Sequence, residues 1–546
     1  MNAPAAAPAT TAVAVAQSLA VRCVEFEGGP DDAALALRTL TSALTVSSGP
    51  AHPRPVSEAA PGHASVALPL GGTAMVSVTP AAPGRWAATV TVTDPGSASD
   101  EDVDALLAVV DRLPLTGREV DQIRRDLPIT GAVAALAGPG ALEGLAVVAA
   151  IHHMRDFAGL LHALIECGAD PAQMTIIDKG YPYRMRERVD GWLECQGVAL
   201  VDYPQRALGI AAHLDRAKAA GMRTLVMDDG GYVLPVVLDR FPERPGEIVG
   251  VVEQTTSGIW RLADHHPLPV PVFSVAESQL KSAVEAPHVA AAALSSVMAH
   301  LPDETWAGRP ALVIGYGRLG RQTAAQLRDT HRMRVAVHDL SAAALVTAHQ
   351  DGHRVGRDLG ALIAEHRPLL VMGCAGHGSL LAEHAAAFQA SAYLASVTSR
   401  DHEFPLTGWA RSARRVVDHE PVGHTYVMDD DVELCVLGDG LPVNFHHRES
   451  LPTRVIDLVF AALLLGGLTL AEPGQGGHGP GVNVPLVDQI LGASPALATY
   501  LDLYAEEPSS LSAGSGAGGV RRLVTAAPDG LPDHTRSAWT YGRRPR

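Results

Sequence analysis

Cysteine is scarce and scattered. Cys23, Cys167, Cys195, Cys374 and Cys435 are the five in 546 residues, and no two form a CxxC pair. That excludes a disulfide framework and fits reduced thiols in a cytoplasmic protein. Positive charge is also in deficit, with 42 Lys and Arg against 59 Asp and Glu, a net charge of −17. Neither nucleic acid nor an anionic membrane is therefore expected as a partner. A basic N-terminal start is missing: Met1–Ala16 is rich in Ala, Pro and Thr, which predicts a loose tail over residues 1–17 and not a signal peptide. Even the most apolar run, Val455–Ala471, is slightly too short to span a membrane and contains Asp457, so a buried helix is expected. Metal-ligand sets are lacking as well. The pairs His152/His153, His265/His266 and His446/His447 would face opposite sides of a strand, and no cysteine or carboxylate set completes a tetrahedral site, so no metal is expected.

With 47% hydrophobic and 18% charged residues, a soluble chain of this length is expected to hold about three domains. Residues 18–113 read as a small N-terminal α+β domain. A strand (Ala20–Phe26) and a helix (Asp31–Leu44) precede three β-rich runs (Ala64–Leu70, Thr73–Thr79, Trp86–Thr93) and a capped helix (Ser99–Leu113). This β-α-β-β-β-α order suggests a ferredoxin-like sandwich. Residues 114–286 alternate strands and helices as one doubly wound α/β domain, and 287–448 as a second. Residues 449–507 look like helices returning to the first of these. A Ser/Gly/Ala linker (508–520) leads to a basic tail (521–546).

The most informative stretch is Ala311-Leu-Val-Ile-Gly315-Tyr-Gly317-Arg-Leu-Gly320, followed by Arg334-Val-Ala-Val-His-Asp339. Strand, glycine turn, helix, strand and terminal acid, in that order, describe a dinucleotide-binding βαβ unit. Gly315 allows the tight turn, Gly317 lets backbone amides approach a pyrophosphate, and Gly320 lets the helix pack on the strand. The helix N-terminus, opening with Arg318 and Leu319, adds partial positive charge. Asp339 suits the free ribose hydroxyls of NAD and would repel a 2′-phosphate.

Three further motifs precede it: Thr224-Leu-Val-Met-Asp-Asp229-Gly-Gly231, Gly250-Val-Val-Glu-Gln254-Thr255-Thr256-Ser257-Gly258 and Glu277-Ser-Gln-Leu-Lys281-Ser-Ala-Val-Glu285. If helical, the last places Lys281 and Glu285 on one face. Together with Gly315–Gly320, Leu437-Gly-Asp-Gly-Leu-Pro-Val-Asn444 and Ile151-His-His-Met154, these motifs resemble S-adenosylhomocysteine hydrolases. The family's segments there read DDGGD, EETTTG, Lys-x-x-x-Asp and Cys-Leu-His-Met. The resemblance spans roughly residues 118–507 and excludes the N-terminal domain.

The resemblance implies two Rossmann-like domains, one for substrate and one for NAD, clamped around an adenine nucleoside, in a homo-oligomer (dimer or tetramer). Position by position, it makes Lys281, Asp229, Glu285 and His153 the catalytic candidates. Thr255, Thr256, Ser257 and Asn444 join the glycine loop and Asp339 as NAD contacts, and Gln254, Lys281 and Glu285 contact substrate. The departures are specific. Gln254 replaces an acid, Glu285 an Asp, Ala286 an Asn, and Ser399 and Leu451 two histidines. The family's C-terminal Lys-Pro-Asp-His-Tyr-Arg-Tyr survives only as Leu531-Pro-Asp-His-Thr-Arg-Ser537. His402, His446 or His447 would have to shift to replace the lost histidines. Tyr181-Pro-Tyr183, after Asp178-Lys-Gly180, has no family counterpart and is either a pocket wall or a turn.

The expectation is an NAD-dependent nucleoside dehydratase or lyase, suited to antibiotic biosynthesis: a sugar hydroxyl is oxidised, the adjacent proton is removed, water or another terminal group leaves, and the hydride returns. The alternatives are a hydrolase with substituted residues, a non-catalytic NAD-binding regulator and a plain dehydrogenase.

Overall fold

The computed structural model describes residues 20–46, 56–68, 72–96, 98–398, 403–419, 422–445, 451–472, 479–483 and 485–505. Ser399, His402, His446, His447, the linker and both tails lie outside them.

In the N-terminal domain β1 (Ala20–Glu27), β2 (Val56–Ala60), β3 (His63–Ala67), β4 (Thr73–Ala82) and β5 (Arg85–Asp94) form an antiparallel sheet of order β1-β5-β4-β3-β2. Helices Pro30–Val46 and Asp100–Ala108 bury Leu40, Leu44, Leu106 and Leu107 with Val66, Val76 and Val90. The domain is α+β as expected, but its order differs from the ferredoxin-like one. Val56–Ala60, a stretch of small and polar residues that alternation does not mark as a strand, pairs with β3 and extends a meander, and β1 closes the free edge of β5. Arg188 stitches this domain to the next. It donates to Leu113 O at 2.9 Å and makes a bidentate pair with Glu119 at 2.9 and 2.7 Å.

The second sheet is wholly parallel. Its strands β6 (Leu145–Ala150), β7 (Met174–Asp178), β8 (Ala199–Asp202), β9 (Arg223–Asp228), β10 (Ile248–Glu253), β11 (Pro271–Ser274) and β20 (Gly481–Asn483) lie in the order β20-β11-β10-β9-β6-β7-β8. Buried on both faces, they read as continuous apolar runs such as Leu145–Ala150. The last strand reaches its place through the helix Thr453–Ala471, which packs across β9 and β10. Gly466 and Gly467 permit the close crossing: a Cβ there would meet Val252 at 3.1 Å and Leu225 at 3.2 Å.

The third sheet contains β12 (Pro310–Ile314), β13 (Arg334–His338), β14 (Arg354–Val355), β15 (Leu370–Gly373), β16 (Ala392–Ser396), β17 (Arg415–Asp418), β18 (Gly423–Val427) and β19 (Glu433–Leu437), in the order β14-β13-β12-β15-β16-β19-β18-β17. All pairings are parallel except the two that β18 makes, with β19 and with β17. In both large sheets the strand order reverses beside the first strand, between β6 and β9 and between β12 and β15. Ligands of open α/β sheets bind outside the strand ends at such switch points. Here the two open into one cavity.

Candidate active site

The cavity has a volume of about 970 Å³ and is lined from both doubly wound domains. On the NAD-domain side, Gly315 turns the chain out of β12 with φ +92°. A Cβ on Gly320 would lie 1.9 Å from Gly315 O, so only glycine lets the helix Arg318–Asp329 sit so close. At Gly317 nothing lies within 4 Å of an added Cβ. The space left open is where backbone amides and the helix N-terminus would meet a pyrophosphate. Asp339 follows β13; its carboxylate accepts from Tyr316 N at 2.6 Å and Ser341 N at 2.7 Å and faces the cavity. These features fit NAD. Arg318 bridges the domains, donating to Ala276 O at 2.6 Å, Ser282 Oγ at 2.9 Å and Thr256 Oγ1 at 3.2 Å.

On the substrate-domain side, two buried acids build turns. Asp228 accepts from Tyr232 N and Val233 N at 2.9 and 2.8 Å. Glu253 accepts from Gly230 N, Gly231 N and Thr255 N at 3.1, 3.0 and 2.7 Å. Burial raises both carboxyls, Asp228 to about 6 and Glu253 well above the usual range. Glu253 also fills the space beside Gly258, where a Cβ would be 2.2 Å from its carboxyl carbon. Thr255 caps the helix Thr256–Ala263, accepting from Gly258 N at 3.0 Å, and Ser257 Oγ donates to Thr255 Oγ1 at 3.2 Å.

The residues these turns present face the cavity: Asp229 after Asp228, and Gln254 after Glu253. Gln254 is 7% exposed, and its Oε1 has no hydrogen-bond partner among the described residues. Lys281 and Glu285 form an ion pair across a π-helical turn, Lys281–Glu285, that opens the helix Ala286–His300. Such turns concentrate at functional sites.

Asp229, Lys281, Glu285, Gln254, Thr255, Thr256 and Ser257 thus line one cavity. So do Gly315, Gly317, Arg318, Leu319, Asp339 and Asn444. Gly320 supports the loop from behind. His153 is elsewhere: its ring is fully buried, with Nδ1 2.6 Å from Asp190, and it does not reach the cavity wall. Its neighbour His152 takes the place beside Asp229, with Nε2 3.0 Å from Oδ2. Burial first, then the nearby Lys179 charge, lowers His152 to about 4, so the ring is neutral. Phe445 stacks on it at 4.0 Å, and Tyr183 OH contacts its Nδ1.

Lys179 was also missed. It follows β7, is 4% exposed, and places Nζ 3.2 Å from Asp229 Oδ1 and 3.1 Å from His152 Nε2. Two sequence signals could have found it: its position at a strand's C-terminal end and the scarcity of lysine in the chain. Burial opposes ionisation of Asp229, but Lys179, His152 and Lys281 outweigh it and hold the carboxyl well below the usual range. No group of metal-ligating residues occurs among the described residues.

Parts of the chain are similar to known proteins. The NAD-binding domain of S-adenosyl-L-homocysteine hydrolase matches residues 291–449. An adenosylhomocysteinase from Acinetobacter baylyi is 26% identical over 264 residues, spanning 45% of this chain and 56% of that protein. One from Gloeothece citriformis is 24% identical over 359 residues, 64% of this chain and 80% of that one. Among solved structures, a dipicolinate synthase from Bacillus halodurans superposes loosely, with a TM-score of 0.35 and 13% identity over 61% of this chain and all of that one (100%). Residues 291–449 thus match an NAD-binding domain of the S-adenosyl-L-homocysteine hydrolase kind, and the chain is similar to adenosylhomocysteinases at 24–26% identity.

Proposed function

We propose that the protein is an NAD-dependent adenine-nucleoside dehydratase or lyase of the cytoplasm. The observation that carries this reading is a single cavity. The glycine cradle, the Lys281–Glu285 pair and Asp229 all face it, while Gln254 and Leu451 stand on its walls where the family pattern has an acid and a histidine. The apparatus for oxidation is present, and two groups of the hydrolytic pattern are replaced by residues that do not ionise.

When bound, NAD supplies a hydride acceptor that converts a sugar hydroxyl to a ketone and later returns the hydride. Lys281, paired with Glu285, is placed to orient that hydroxyl and, once its own proton has passed to Glu285, to take the hydroxyl's proton. A carbonyl acidifies the adjacent C–H because the carbanion's charge spreads onto oxygen, so a carboxylate, here Asp229, can receive the proton. The terminal substituent then leaves and an unsaturated sugar results. Enclosure between two domains keeps water from the intermediate.

The test is incubation of the holoenzyme with a panel of adenine nucleosides in deuterated water, followed by mass spectrometry. Loss of water or another terminal group without net NADH supports the proposal. Release of homocysteine from S-adenosylhomocysteine makes the protein a hydrolase instead. Accumulating free NADH makes it a dehydrogenase, and no change in any nucleoside leaves a regulator.

A further inference from the structure

The chain has three lysines, Lys179, Lys218 and Lys281, and uses arginine for its other basic side chains. Lys218 is exposed on a helix, paired with Glu247 at 3.6 Å. The other two line the cavity. Arginine holds its proton at any working pH, whereas a buried lysine can release one. Lysine is thus placed where proton transfer is possible and is nearly absent elsewhere.

Lys281 belongs to the oxidation step, and Lys179 lies outside the motifs that carry the family resemblance. Its loop is built to aim it inward. Asp178 accepts from Gly180 N at 2.8 Å and pairs with Arg186. The ammonium lies 5.5 Å from the ring centroid of Tyr181 and 5.6 Å from that of Tyr232, and the residue is 4% exposed. It also contacts both Asp229 and His152.

We propose that Lys179 is the proton donor to the leaving group, a role that rests on the dehydratase or lyase reading above. In the elimination, the C–H pair beside the ketone becomes the C=C bond and its proton passes to Asp229. The bond from carbon to the leaving oxygen breaks, its electrons stay on oxygen, and Lys179 supplies the proton that lets a hydroxyl depart as water. The proton on Asp229 then returns to Lys179 across their 3.2 Å contact. The sum is loss of one water with the pair restored. The two transfers support each other: as Lys179 gives up its charge, the field that suppresses Asp229's basicity falls away. His152 is a positioning residue, a neutral ring whose Nε2 lies 3.1 Å from Lys179 Nζ and 3.0 Å from Asp229 Oδ2.

The decisive variants are Lys179→Arg, which keeps the charge beside Asp229 but holds its proton, and Lys179→Gln. Each is assayed in single turnover for the near-ultraviolet absorbance of reduced nicotinamide and for unsaturated product, with thermal unfolding and NAD content as checks on folding. Both should reduce the cofactor on mixing as the wild type does and lose elimination by about 10²- to 10⁴-fold, the usual range for a general acid. Elimination at the wild-type rate in Lys179→Arg overturns the assignment, because positive charge alone would then suffice. Equal loss of both signals in folded Lys179→Arg also overturns it and moves Lys179 to the oxidation step. If the wild type reduces no cofactor with any nucleoside, the parent reading fails and this assignment fails with it.

Discussion

Replacing Asp457 by Ala removes the acceptor that closes the N-terminus of the helix Pro128–Ala137 from a neighbouring helix. Asp457 is fully buried and accepts from Ile129 N at 2.9 Å, Thr130 N at 2.8 Å and Thr130 Oγ1 at 2.7 Å. The capped helix has Leu127 at its N-cap and Pro128 at its first position, so it has no cap of its own. Burial raises the Asp457 carboxyl and these three donors partly offset it. A buried amide left without an acceptor costs about 1–3 kcal/mol. With two such amides, Asp457→Ala should cost about 4 kcal/mol. Asp457→Asn keeps one acceptor and should cost about 2 kcal/mol. A chain of several domains need not unfold in one step, so a local readout is needed beside the guanidinium midpoint. Hydrogen exchange of peptides covering residues 128–137 supplies it, with the helix Arg318–Asp329 as internal reference. Protection should fall in the first and hold in the second. A cost below about 1 kcal/mol for Asp457→Ala, against the usual penalty for stranded amides, or an equal loss of protection in both helices, refutes the cap.

Three further outcomes are expected. Gly320→Ala drives a Cβ to 1.9 Å from Gly315 O and should abolish NAD retention in the purified protein, whereas Gly317→Ala meets no protein atom within 4 Å and should weaken NAD without lowering the thermal midpoint. Burial raises Asp156 from 3.8 to about 6. Its stability contribution is therefore present below the usual carboxyl range and lost as pH rises through 6, so Asp156→Asn should gain on the order of 2 kcal/mol at pH 8 and nothing at pH 3.5. His213, 1% exposed and bonded to Thr175 Oγ1 at 2.9 Å, is lowered by burial to about 3. It stabilises the fold while neutral, so stability should fall between about pH 6.5 and pH 3, and His213→Asn should flatten that slope in denaturation series.

The parts of this molecule legible in its sequence are those fixed by local pattern. Gly315, Gly317, Gly320 and Asp339 announce a βαβ unit because each answers a need of the chain within about 20 residues of itself. The Lys281–Glu285 pair follows from spacing along one helix. What depends on distant partners was not legible. Choosing between His152 and His153 requires knowing which of two adjacent residues leaves β6 toward the cavity, and a one-residue shift inverts the answer. Asp190, which holds His153 in the core, lies 37 positions away. Lys179 sits in a loop that resembles a turn until β6, β7 and β9 align side by side and bring Asp229 to it. The hairpin of β17 and β18 was missed for a similar reason: it is an antiparallel edge on a sheet whose other strands are buried parallel runs.

Electroneutrality explains why position 254 carries an amide. Inside the cavity Lys281 is matched by Glu285 and Lys179 by Asp229, one to one. Directly behind Gln254 lie Glu253 and Asp228, two buried acids already raised by burial, of which Asp228, raised to about 6, is ionised at pH 8 and opposes a further negative charge. A buried carboxylate without a cation is expensive, and like charges beside it raise its pKa further. Gln254→Glu, which restores the acid of the family pattern, should therefore not restore a hydrolase. It should destabilise the protein by about 2–4 kcal/mol at pH 8, the cost of an unpaired buried charge. The loss should be smaller at pH 5, where the raised group holds its proton, because stability tied to a raised carboxyl declines as pH rises through it. Denaturant midpoints at the two pH values, with a homocysteine-release assay alongside, measure both effects. A Gln254→Glu protein as stable as the wild type at pH 8 and newly able to release homocysteine would mean that another cation reaches this wall, and that the pairing of charges does not set the chemistry of the site.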